Sequence, residues 1–378
     1  MLYGTGGVPA RIAVVVDQLD DAHLRTPLVE DVLTAFPHAE LFVIDDRRDD
    51  PDAPIAGHRP TCLAPRPSSR PGLFGFGRSA ASTPPIRLPA GHDLVLRIGD
   101  RRARSFRVSH DTLDLFYILA LGDDTDERAG LGAGYRDRCA LQSADIVWAG
   151  SRRLMAALRR RWQVDAQLLY PPAEPPTPTA RGTVGRRVVA LIEGASPSWV
   201  HRLENLARLR PDLVVAAYGT PALTERPRRS ALKRHPKEAT AAYLADVEQA
   251  IAVVVPPGDA FDPQVVWAQA AGVPVVAPPP SAAAELIQGL EHREPTGFVL
   301  EEAGDEALAD AIAFIEANRP LWPPDRLMAH ALRWSRPRFR RTLKSLVFDA
   351  WCAHLAVVSK ADEDLGLIPA SREAAIPD

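Results

Sequence analysis

Two acids, Asp259 and Asp262, stand just beyond the apolar run at residues 250–257, and a Pro-initiated, Ala-rich stretch follows them as far as Gly272. A carboxylate on the loop after a buried strand can accept a substrate hydroxyl proton or oppose charge that develops in a reaction. The same residues also suit a helix cap, because Asp accepts backbone N–H groups and Asp-Pro opens turns. His201 and Arg202 follow Gly194 and a Ser-Pro-Ser segment. They would offer donors to a phosphate at a helix start, or else form a solvated helix face. Trp267 either stacks on a ligand or fills core space. His58, His92 and His110 show no metal-ligand spacing, and no Ser-His-Asp or Cys-His order is recognisable.

Elements able to carry these residues recur along the chain. Residues 11–17, 41–44, 93–98, 113–119 and 145–149 are short apolar runs rich in β-branched types, which predicts buried parallel strands. Apolar positions at Leu28, Val29, Val32 and Leu33 predict a helix over 27–35. Residues 135–143 read as helical, and 151–162 as a strongly basic helix with Ser151 as its N-cap. Pro, Ser, Gly and Arg dominate 49–91, a long loop with a Leu-Phe-Gly-Phe tip at 73–76. Beyond a proline-rich stretch the rhythm restarts. Strands are expected at 187–192, 213–218 and 251–255, and helices at 199–209, 239–248, 307–317 and 338–354. The order predicts an α/β protein with two doubly wound domains facing across a cleft. The expected divisions are 1–170, a linker at 171–180, a second domain at 181–335, a helix at 336–356 packing back on the first domain, and a flexible tail at 357–378.

Composition narrows the function. The 378 residues are 46% apolar and 25% charged, with a formal net charge of -3, ordinary values for a globular protein. Without a basic surplus, and with aromatics at 6%, no nucleic-acid partner is expected. The three cysteines, Cys62, Cys139 and Cys352, are too widely spaced for a disulfide framework or a zinc site. No apolar run reaches about 18 residues and no export signal is recognisable, so a cytoplasmic location is the default. The helix bearing Arg152, Arg153, Arg159, Arg160 and Arg161 has two readings: peripheral contact with the inner face of an anionic membrane or a lipid-linked acceptor, or an ordinary surface helix.

The segment from Asp259 through Ala277 to Glu285 resembles the donor-binding segment of the retaining family 4 glycosyltransferases. The ordered series around it agrees: residues 17–42, 145–172, 295–311 and 334–339 are similar to successive family segments. The resemblance covers roughly residues 11–355 and implies the two-Rossmann-domain GT-B architecture. It implies transfer of a sugar from a nucleotide-sugar donor to a glycan or lipid-linked acceptor in surface polysaccharide or glycolipid assembly. The nucleotide sugar is then a substrate, and no metal or other cofactor is called for. Asp259 stands at the first of two glutamate positions and would face the donor sugar; Trp267 stands at the second. Gly194, His201, Arg202, Phe261, Asp262, Trp267, Ser281 and Glu285 form the implied donor side, and His110 and Ser151 the acceptor side. Where the family carries a glycine-rich first loop, this chain has residues 20–26 without glycine; where it carries a Gly-Arg pair and a later Lys, it has Gly194, Ala195 and Val200. Those departures support an alternative: a non-catalytic GT-B protein acting as binding or scaffold partner of an active glycosyltransferase.

Overall fold

The computed structural model describes residues 9, 11–19, 25–46, 48, 50, 53–63, 88, 91–99, 108–109, 111–121, 138–139, 141–173, 185–220, 232–236, 240–300 and 306–364. His110, the 73–76 tip, residues 20–24 and most of the proline-rich stretch lie outside them.

A first sheet is built from β1 (Ile12–Leu19), β2 (Glu40–Asp46), β3 (Thr61–Cys62), β4 (Leu94–Gly99), β5 (Leu113–Ile118), β6 (Ile146–Ala149) and β7 (Gln167–Leu168). Its strands run in the order β3-β2-β1-β4-β5-β6-β7, every pairing parallel. Every residue of β4 and β5 is buried, as expected for parallel strands covered on both faces. Helix α1 (Arg25–Ala35) covers one face with Leu28, Val29, Val32 and Leu33, all essentially inaccessible. Helix α2 (Arg152–Trp162) packs Leu154, Leu158 and Trp162 beside Phe116, Ile118 and Val147.

The second sheet contains β8 (Arg187–Leu191), β9 (Val214–Tyr218), β10 (Lys233–His235), β11 (Ala250–Val254), β12 (Val275–Ala277) and β13 (Gly297–Val299). Its order, β10-β9-β8-β11-β12-β13, repeats the first six positions of the first sheet, again wholly parallel. Helices α3 (Pro197–Leu209), α4 (Thr240–Glu248), α5 (Pro263–Ala270), α6 (Ala282–Glu285), α7 (Ala307–Ala317) and α8 (Pro324–Ala331) surround it. Two apolar clusters, one around Val253, Val265 and Trp267 and one around Val254, Leu203 and Ile312, fill its two sides. Each buried Val, Leu or Ile contributes about 1.5–3 kcal/mol relative to exposure.

The last helix, α9 (Arg336–Asp364), returns to the first domain. Phe339, Leu343, Val347, Ala350 and Trp351 join the core that contains α1 and β1. It runs ten residues past His354, where the apolar spacing stops, into the span expected as a tail.

In both sheets the strand order reverses beside the first strand, between β1 and β4 and between β8 and β11. Open parallel sheets bind ligands outside the strand carboxyl ends at such a reversal. That rule selects the loops after β8 and β11 as the place to look.

Candidate functional site

Strand β11 delivers the 255–262 loop to this reversal. Asp262 ends the loop as the N-cap of α5, its side chain accepting from Gln264 N at 2.9 Å, with Pro263 in the first turn. Phe261 is buried and anchors the loop from within. Asp259 stands clear of that anchoring, with its side chain 40% exposed. The loop is tied to its neighbour by Ala282 N, which donates to Gly258 O at 2.8 Å. Ser281 caps α6 by accepting from Ala284 N.

Opposite this loop stands the start of α2. Ser151, fully buried, caps it by accepting from Leu154 N at 2.9 Å. The same hydroxyl donates across the seam between domains to the carbonyl of Asp259 at 2.6 Å. Arg153 places its Nε 2.9 Å from Asp259 Oδ1. Glu285, at the end of α6, accepts from Arg152 N at 2.8 Å, Arg153 N at 2.6 Å and the Tyr170 hydroxyl at 3.0 Å. Burial, then the adjacent Glu285 carboxylate, push the Tyr170 phenol far above its usual range. Its proton therefore stays in place as the donor. Acceptor-side Ser151 and donor-side Asp259 and Glu285 thus meet in one cluster. Arg153 and Tyr170 complete it without having been singled out for this role by the sequence.

The loops after β8 and β9 form the adjoining wall. Gly194 has φ +62°, and a Cβ there would meet nothing within 4 Å, so its backbone faces open space. Its N–H donates to Thr220 O at 2.9 Å, and Thr220 N donates back to Glu193 Oε2 at 2.8 Å. Gly219, at φ +110°, lets the two loops touch: a Cβ there would lie 2.7 Å from Glu193 N. His201 and Arg202 sit on the second turn of α3, whose start is capped by Ser196 with Pro197 behind it. Both are beyond the first-turn N–H groups that bind anions. Trp267 is 6% exposed, within the core beside Val265, Val273 and Tyr243, whose ring centroid is 6.4 Å away.

With the geometry assembled, similar solved structures are informative. Sucrose-phosphate synthase (tll1590) from Thermosynechococcus elongatus superposes with a TM-score of 0.64 at 16% identity, covering 91% of this chain and 99% of its own. Anabaena Alr3699/HepE in complex with UDP-glucose gives 0.59 at 13% identity, covering 89% and 99%. WaaG, a glycosyltransferase involved in lipopolysaccharide biosynthesis, gives 0.56 at 13% identity over the same shares. The fold is GT-B. No protein-family model matches the chain, and no curated relative matches it. In GT-B terms, the Asp259–Arg153 pair and the Glu285 cluster bridge the two Rossmann-like domains. The open backbone at Gly194 lies on the second domain's side.

Proposed function

We propose that this GT-B protein is a retaining, metal-independent glycosyltransferase. It would move a sugar from a nucleotide-sugar donor to a surface polysaccharide or glycolipid acceptor. One observation carries the reading: Asp259, a partly exposed carboxylate at the sheet reversal, is held against a guanidinium of the opposite domain. Asp259 accepts a hydroxyl of the donor sugar. Arg153, released from Asp259 as the donor enters, shares with Arg202 and His201 the neutralisation of the departing diphosphate. The backbone at Gly194 admits the phosphates closely. Phe261, Asp262 and Ser281 hold the loops, and Ser151 fixes Asp259 from the acceptor side.

Titration with UDP-, GDP- and ADP-sugars tests this by thermal shift, since a bound donor raises the melting temperature with its concentration over Kd. One of the three is expected to do so. Asp259→Asn should keep that shift and lower transfer by about 10²–10³-fold. Unchanged transfer in this variant would overturn the role of Asp259.

A second reading, a non-catalytic partner of an active glycosyltransferase, is favoured by Trp267 lying in the core at the position where the resemblance expects a second glutamate. Under that reading no nucleotide sugar shifts the melting temperature, and a second transferase co-purifies with the chain.

A further inference from the structure

A cavity of about 550 Å³ opens where the chain crosses between the domains. Arg152 of the first domain, Glu285 and His292 of the second, and His330, Arg333 and Arg338 of the returning segment line it. The loops after β8, β9 and β11 contribute nothing to its wall. Among the residues named on the donor side, Glu285 alone reaches its wall.

The charges in this wall are unbalanced. On the same segment Arg336 is paired with Glu30 and Asp31, and Arg340 with Asp31. Arg333 and Arg338 face the cavity instead, and among the described residues no carboxylate lies within 4 Å of either. Glu285, the one carboxylate among the described residues of the wall, already accepts from Arg152 N, Arg153 N and Tyr170. Three arginines thus line a space where the one acid among the described lining residues already has three donors. His330 shares this wall: burial first, with lesser contributions from Arg333 and His292, holds its ring down to about 4. A planar guanidinium fork matches the oxygens of a phosphate better than any other cationic side chain.

We propose that this cavity binds a phosphate-bearing small molecule, gripped by Arg333, Arg338 and Arg152. Because the grip spans both domains, the bound anion fixes their relative position. The volume exceeds that of inorganic phosphate, so the remainder of the molecule lies against Trp334 and Thr342, which also line the space. The proposal does not depend on the donor-site reading.

Inorganic phosphate is the probe, compared with chloride at matched ionic strength. The unmodified chain should show a saturable rise in melting temperature with phosphate alone. R333A/R338A should weaken the half-saturation point at least tenfold. R341A/K344A removes the same charge from exposed positions of α9 outside the wall and should leave it unchanged, as should Arg202→Ala, which removes a cation proposed for the donor diphosphate. Absence of a phosphate-specific shift would overturn the proposal. So would an unaltered response in R333A/R338A, an equal loss in R341A/K344A, or a loss in Arg202→Ala, which would move the phosphate to the donor loops. Should R333A/R338A fail to fold, the milder R333Q/R338Q pair is titrated with phosphate instead: a weakened half-saturation point supports the proposal, and an unaltered one overturns it.

Discussion

Glu285 shows how much one side chain can organise. Its two oxygens accept from two consecutive backbone N–H groups and a phenol of the other domain. Replacing it by Ala orphans these donors, an expected loss on the order of 1–3 kcal/mol. Glu285→Gln, which keeps an acceptor oxygen, should lose less. Denaturant melts of the two variants, with hydrogen exchange at Arg152 and Arg153, would check both. The resemblance nominates Glu285 as a donor-side acid, but not these partners: two backbone groups 132 and 133 residues away and a phenol 115 away leave no local trace. Asp259 was legible as a loop acid, but its Arg153 partner was not, since a guanidinium in a basic helix carries no address. His330 supplies a pH test at the same scale. Its folded value of about 4 lies below the unfolded value near 6.5, so the unfolded chain takes the proton first as pH falls. Stability is full above about 6.5 and is lost progressively down to about 4, by on the order of 1–2 kcal/mol after solvent screening. His330→Gln should flatten stability between those limits in melts run from pH 7 to 4.

Elements were legible in proportion to their burial. Strands β1, β4, β5, β8 and β11 are mostly buried apolar residues, interrupted by the buried Asp17, Arg97 and Asp114, and the alternation of such runs with helical spacings is readable without coordinates. The short strands β3, β7 and β10 were not. Thr61–Cys62 is exposed, and Lys233–His235 carries only charged or polar side chains. Their pairing is set by the neighbouring strand and leaves no periodic trace. Helix α8 was missed because only Leu327 and Ala331 are buried along it. Helix α5 carries the element-scale prediction. Buried from Gln264 to Ala270, it uses Trp267 as core, so Trp267→Ala should lower stability by about 3–5 kcal/mol. Trp267→Glu would place an uncompensated carboxylate in that core and should do worse. It would not restore a donor contact. Chemical denaturation of both variants, with nucleotide-sugar titration of any that folds, measures this.

At the scale of the molecule, two passages of chain join the domains. One is the segment leading from β7 through Tyr170; the other leads from Trp334 into α9. Ala173 N donates to Trp334 O at 2.8 Å, so the two passages are bonded to each other. Arg336 then fastens the return by pairing with Glu30 and Asp31 on α1. Arg336→Ala removes the nearer guanidinium from the buried Asp31, leaving Arg340 at 3.3 Å. A loss of about 1–3 kcal/mol is expected, with faster hydrogen exchange over the first turns of α9. The bonded passages also have a mechanical meaning. Two straps stitched together along one edge behave as a spine: the lobes can swing apart as covers do, while sliding and twisting are resisted.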